Sequence, residues 1–322
     1  TIDTHLALGN LFRSRGEVDR AIRIHQNLIA RPNLTLDQRN LAMQQLAKDY
    51  MVAGFFDRAE KIFAELVDEP DYREFALQQL LAISQQTREW EQAIDTAAKL
   101  VKMGKHKLRK DIAHFHCELA MLQLAEGDEH KARQLLRRAL SYDKSCVRAS
   151  LKLARLDIQH EDYKGALKQL ENILEQDADF VSEALPLLAE SYRALGREMQ
   201  LVRFLKECIE ENAGVSAELM LSEVIGSNEN IAMAQSFLTR QLTRNPTMRG
   251  FHKLMEYHVE QAEEGRAKAS LNTLKDLVAE QMKVKPHYRC RKCGFSTHAL
   301  YWQCPSCKSW GAIKPIRGLD GE

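Results

Sequence analysis

Proline and glycine are scarce in this chain, at 7 and 15 of 322 residues, and β-branched runs are rare. That combination argues against an extended β architecture and for helix through most of the length. Long apolar runs are missing: no stretch reaches the roughly 18 uncharged apolar residues that a membrane-spanning helix needs. Charge of one sign is missing too. Lysine and arginine (46) balance aspartate and glutamate (45), leaving a formal net charge of +1. Such a balance gives no global attraction to nucleic acid or to an anionic membrane. The common enzyme signatures are also absent, including the phosphate loop, H-E-x-x-H, G-x-S-x-G and G-x-G-x-x-G. The eleven histidines are scattered. Composition and motifs together therefore read as a helical chain without an enzyme's active site.

What is present is a repeat. "LGNLFRSRGEVDRAIRIH" (Leu8 to His25) aligns with "LAKDYMVAGFFDRAEKIF" (Leu46 to Phe63), each with Leu, a small residue, an aromatic, Gly and then "DRA". The frame returns at "LAMLQLAEGDEHKARQLL", "LARLDIQHEDYKGALKQL" and "LAESYRALGREMQLVRFL". One register position is Ala21, Ala59, Ala93, Ala132, Ala166 and Ala234, with Leu201 in the sixth slot, at spacings of 38, 34, 39, 34, 35 and 33 residues. Two antiparallel helices approach closely only where a small side chain lets the backbones near one another. Gly9, Ala47, Ala120, Ala154 and Ala189 supply that on first helices, and the register alanines on second helices.

This pattern resembles the tetratricopeptide repeat over about residues 2–246, most closely at Ala59 to Phe63 followed by Pro70; no copy keeps the consensus tryptophan. The expected fold is all-α, a superhelical solenoid of about seven to eight helix pairs over residues 1–284. A final, atypical pair ends at Lys285-Pro286, where proline blocks continuation, and fits a terminal cap. Extra residues fall at "RPNLTLDQ" and at "MGKHKLRKD". The second is part of a basic run (Lys102, Lys105, Lys107, Arg109, Lys110) that reads as a solvated loop or as a seat for an acidic partner.

Residues 285–322 have a different character. "YRCRKCGFSTHALYWQCPSCKSWGAI" holds two Cys-x-x-Cys pairs, Cys290 with Cys293 and Cys304 with Cys307. Four thiolates so spaced suit one tetrahedral ion, each pair biting from a tight turn, and all-sulfur sites select zinc or iron. A segment this short cannot build a self-sufficient core, so the ion is expected to be needed for its folding. Cys117, Cys146 and Cys208 sit alone in helical patterns and read as packed thiols, which fits a reducing compartment. The knuckles resemble rubredoxin-type ribbons and zinc ribbons, although Lys308 stands where rubredoxins usually have Gly. Only Lys285 to Arg289 link the last helix to Cys290, so the ribbon is expected to dock on the last repeats through Phe295, Leu300, Trp302 and Trp310. Its local charge of +5, interleaved with aromatics, leaves single-strand nucleic-acid binding as the alternative reading.

On the helices, the polar residues that the register places on exposed first-helix faces include Lys48, His114, Arg148, Arg155 and Arg193, the candidate partner contacts, together with Arg13 and Gln78. Repeats followed by "YRCRKCGF…WQCPSCKSWGAIKPI" resemble the cytoplasmic part of the lipopolysaccharide assembly protein B family across essentially the whole chain. That resemblance implies a non-enzymatic adaptor at the cytoplasmic face of the bacterial inner membrane. One N-terminal anchor helix would precede Thr1. It implies as partners a membrane-bound AAA-type metalloprotease and the lipid A-committing deacetylase whose proteolysis the adaptor promotes, with other lipopolysaccharide assembly proteins as further candidates and no nucleic acid. Residue roles carry over only at the four cysteines.

Overall fold

In the computed structural model, which describes residues 1–228 and 230–322, every position of the alanine register is sealed from solvent. Ala21, Ala59, Ala93, Ala132, Ala166, Ala234 and Leu201 are all 0% exposed. The small first-helix residues Gly9, Ala47, Ala120, Ala154 and Ala189 are buried as well. The sequence periodicity is thus the periodicity of helix–helix contact. The chain divides into two compact units, Thr1–Ala125 and Glu126–Glu322.

The first unit runs α1 (Ile2–Ser14), α2 (Val18–Ile29), α3 (Leu36–Ala53), α4 (Phe56–Leu66), α5 (Pro70–Thr87), α6 (Trp90–Lys102) and α7 (Leu108–Ala125), each helix packed on the next. The inserted "RPNLTLDQ" becomes a start signal. Thr35 and Gln38 form a capping box that satisfies donors at the head of α3. Gly54 takes the left-handed conformation (φ +79°) that ends the same helix, and Pro70 opens α5 in its first turn. Phe63, fully buried, meets Phe75 edge-on at 6.0 Å.

Gly9 has a specific neighbour. A Cβ there would lie 2.3 Å from His25 Nε2, and His25 cannot swing away because its Nδ1 is 2.5 Å from Asp49 Oδ2. Asp49 in turn accepts from Arg13 Nη1 at 2.8 Å. Gly9→Ala is therefore expected to destabilise the first unit by about 1–3 kcal/mol through overpacking. Urea titration should show a lower midpoint with an unchanged slope.

The second unit continues with α8 (Glu129–Tyr142), α9 (Val147–Gln159), α10 (Tyr163–Glu171), the short α11 (Ile173–Gln176), a 3-10 turn at Ala178–Phe180, and α12 (Val181–Ala194). After these come α13 (Glu198–Glu210), α14 (Val215–Asn228), α15 (Ile231–Arg244), α16 (Met248–Gln261) and α17 (Arg266–Val284). The chain then forms a small antiparallel sheet of β1 (Tyr288–Cys290), β2 (Ser296–Thr297) and β3 (Ile313–Pro315), in the order β2-β1-β3. Sequence character divides the chain at 284/285, yet residues 285–322 fall in the same compact unit as α8 to α17. The core of this unit is built on Leu185, Leu188, Leu201 and Leu205, and Leu300 and Trp302 of the ribbon pack against it. The last helix pair contributes less. No residue of α17 is buried, and Leu274 and Leu277 are exposed.

Candidate metal centre

Two knuckles of nearly identical geometry hold the four cysteines. In the first, Gly294 N donates to Cys290 O (3.0 Å) and Cys290 N to Phe295 O (2.8 Å); in the second, Lys308 N donates to Cys304 O (2.9 Å) and Cys304 N to Ser309 O (2.9 Å). Such a turn needs positive φ at the residue after the second cysteine. Gly294 takes it at +79° and Lys308 at +58°, so lysine occupies a backbone position where glycine would be unstrained.

The four sulfurs lie within 4.8 Å of one another. Cys290 Sγ is 3.7 Å from Cys307 Sγ, and Cys293 Sγ is 3.7 Å from Cys304 Sγ. A tetrahedral ion with sulfur ligands at about 2.3 Å requires S···S edges of about 3.8 Å, so the arrangement fits an ion and is far from disulfide length. Ser309 lowers the Cys307 thiol to about 6 through hydrogen bonds from its hydroxyl and amide, whereas burial raises Cys304 to about 11. Among the described residues, no histidine or carboxylate joins the cluster. A four-sulfur site without a further ligand is a closed, structural type. When bound, the ion supplies the crosslink that joins the two knuckles.

The ribbon is held to the helices by an aromatic stack and an ion-pair cluster. Trp302 stacks on Phe180 of the 3-10 turn with centroids 5.4 Å apart. Beside it, Lys314 Nζ lies 2.7 Å from Asp177 Oδ2 and 3.1 Å from Asp179 Oδ2, and Arg317 Nε lies 3.1 Å from Asp179 Oδ1. Burial alone would raise the Asp179 carboxyl, but Lys314 and Arg317 outweigh it and hold it below the usual carboxylate range. Tyr288 Oη donates to Glu183 Oε1 at 2.5 Å. At the far end, the Glu322 carboxylate accepts from Ser216 N (3.0 Å) and Ser216 Oγ (2.8 Å) at the head of α14, and pairs with Arg249. The anion thus sits on a helix N-terminus.

These contacts revise the sequence expectations in several places. Leu300 and Trp302 meet the helical core, but Phe295 packs inside the ribbon with Cys290, Cys304 and Ile313, because it lies in the tight knuckle turn itself. The backbone of Trp310 pairs with Gln303 within the ribbon. The apolar dock is the core cluster that includes Phe180 of the 3-10 turn, while α16 of the last helix pair meets the tail through polar contacts of Met248 and Arg249 with Leu319 and Glu322. Asp177, Asp179, Glu183, Lys314 and Arg317 were missed; the only sequence signal is an acidic "DAD" facing a ribbon of opposite charge.

Among the candidate partner contacts, His114 and Arg148 are buried, at 8% and 6% exposed. The sequence treats their helices as one-sided, yet residues 112–117 and 146–151 are buried around the whole circumference. Lys48 is half-buried with its ammonium 4.8 Å over the Phe75 ring, while Arg155 and Arg193 are exposed. Arg13 is drawn into the His25–Asp49 network.

A further buried acid went unread. Glu218 on α14 is 6% exposed, its Oε2 has no hydrogen-bond partner among the described residues, and burial raises its carboxyl to about 7. A carboxyl raised in the fold stabilises fully below its unfolded value near 4.5, and that contribution is lost as pH rises through 7. Glu218→Gln is therefore expected to leave stability unchanged near pH 4 and to raise it by about 2 kcal/mol at pH 8. Equal effects at both pH values in thermal melts would refute this.

Comparison with known proteins agrees with the geometry. The ribbon, residues 288–315, matches the rubredoxin metal binding domain. Residues 4–38 and 123–191 match the tetratricopeptide repeat. Lipopolysaccharide assembly protein B of Escherichia coli (strain K12) is 53% identical over 321 residues, covering 100% of this chain and 82% of the relative. The protein of the same name from Haemophilus influenzae is 45% identical, covering 99% of this chain and 80% of its own. Among solved structures, a tetratricopeptide repeat protein from Parabacteroides merdae covers 80% of this chain and 98% of its own at 11% identity, with a TM-score of 0.37. With helical repeats, a four-cysteine ribbon and identity of this level along its whole length, the chain belongs to the lipopolysaccharide assembly protein B family.

Proposed function

We propose that this chain is the cytoplasmic part of a non-enzymatic adaptor that regulates lipopolysaccharide synthesis. In this reading it promotes proteolysis of the lipid A-committing deacetylase by a membrane-bound AAA-type metalloprotease, working from the cytoplasmic face of the bacterial inner membrane. The observation that carries the reading is the 53% identity across the full chain to relatives named for lipopolysaccharide assembly. Physical features support it. Stacked helix pairs present extended surfaces suited to protein segments, and the closed four-sulfur centre supplies structure without an open coordination position. No described helix is long and apolar enough to cross a membrane, so in this reading the anchor lies outside these residues.

The alternative, a nucleic-acid reader, loses support from the ion pairs. Arg291, Lys314 and Arg317 face Asp179, and Lys285 reaches Asp320. Asp177 and Asp179, which lie outside the ribbon, thereby offset part of its local charge of +5. The test is the half-life of the deacetylase in cells of the source bacterium with the gene deleted and then restored. The adaptor reading expects slower turnover on deletion and recovery on restoration. An unchanged half-life would exclude it.

A further inference from the structure

The spacing between the third and fourth register alanines, 39 residues, marks the insertion "MGKHKLRKD". In the fold this insertion forms one wall of an open cavity of about 700 Å³ in the first unit. Gly104, at φ +95°, lets the chain reverse at the end of α6, and Lys105 N donates to Leu100 O at 3.0 Å. Ala82 of α5 and Leu108 of α7 line the cavity with the buried Leu81 and Leu100 beneath them, which makes its floor apolar. Lys105, His106 and Lys107 stand on its rim, all exposed. Lys105 already pairs with Glu74 at 2.6 Å. Lys102, Lys107 and Lys110, also exposed, add positive charge along the same short stretch. The size falls within the range of ligand pockets, which combine an apolar interior with a few placed polar groups.

A free small metabolite is a poor match, because the cavity is open and its charge is spread along a loop. A neutral apolar segment would leave the lysines without counter-charges. The chemistry that uses both features is an extended acidic segment with a large apolar side chain in its middle. We propose that this cavity seats an acidic peptide segment of a protein partner, its apolar anchor resting against Ala82 and Leu108 and its carboxylates meeting the lysines of the loop. The inference rests on the adaptor reading for the existence of a protein partner, but the site itself stands on the cavity and the charge around it. The sequence alone showed the basic run; the apolar floor beside it is what turns a solvated loop into a site.

The test uses the purified full chain and a fluorescent peptide, EELFEE, with QQLFQQ and EESSEE as controls. Two variants report on the two features. Ala82→Trp fills the cavity from an exposed helix position, and the double variant Lys102→Glu, Lys107→Glu reverses exposed charge; circular dichroism checks that both fold. Wild-type protein should bind EELFEE with an affinity that falls steeply with salt. Each variant, and each control peptide, should bind at least about tenfold more weakly. The proposal is overturned by no binding at ~1 mM peptide, by QQLFQQ binding as well as EELFEE, or by Ala82→Trp leaving the affinity unchanged. Preferential capture of phosphatidylglycerol vesicles over the peptide would also overturn it. Because the peptide assay does not involve the deacetylase, its failure leaves the cellular test of the adaptor reading intact.

Discussion

Replacing Cys290 and Cys293 by serine, or stripping the ion with a strong chelator, is expected to unfold the ribbon and to destabilise the second unit with it. Binding of a structural ion by four thiolates is worth on the order of 10 kcal/mol. Residues 285–322 build little apolar core of their own, since among the described residues the buried members of the ribbon's cluster are Cys290, Cys304 and Ile313. With the ribbon unfolded, Phe180 loses Trp302, and Asp177 and Asp179 lose Lys314 and Arg317. The thermal transition of the second unit should fall by about 5–15 °C, on a scale where 1 kcal/mol shifts a domain of this size by about 2–4 °C. Differential scanning calorimetry measures this directly. Elemental analysis of the wild-type protein should find one ion per chain, coloured by charge transfer if iron and colourless if zinc. Wild-type protein with four freely titrating ribbon thiols and no bound ion would contradict the metal assignment.

Trp302→Ala is the second large effect, and it leaves the metal site in place. The indole covers Phe180, which is 3% exposed, and truncation would open that contact to water. Removing a large aromatic side chain from a core costs about 3–5 kcal/mol, and for this half-buried one about 2–4 kcal/mol is expected. The ring–ring part can be isolated. In a double-mutant cycle with Phe180→Leu, the two should couple by about 0.5–1.5 kcal/mol. Ion content should remain at one per chain. Loss of the ion from Trp302→Ala would mean that the dock and the metal centre cannot be separated.

Legibility in the sequence followed the range of the interactions. The register alanines were legible because close helix approach recurs about every 34 residues outside the two insertions and favours small side chains; all of them are sealed in the fold. The metal ligands were legible because each knuckle is local, five consecutive residues carrying both the turn and the ligands. Gly294 announced its own positive φ, whereas Lys308 adopts the same conformation without a glycine to announce it. The dock was not legible. Lys314 and Asp177 are far apart in sequence, and nothing in the period of the helices places a 3-10 turn at Ala178–Phe180 opposite the ribbon. His114 and Arg148 were misread for a related reason. A polar residue on a helix says which face it occupies but not whether another element covers that face, and here both faces are covered. Glu218 follows the same pattern, an ordinary acid in sequence whose burial is fixed only by the folded second unit.

The central structural claim is that the metal ribbon is a clasp on the helices and not an appended module. Hydrogen exchange across residues 178–192, compared between wild type and the Cys290→Ser, Cys293→Ser variant, tests it most directly. The clasp predicts that the variant loses protection in the 3-10 turn and α12 together with the ribbon, while α1 to α6 exchange as in wild type. Wild-type protection across 178–192 beside a fully exchanging ribbon would contradict it.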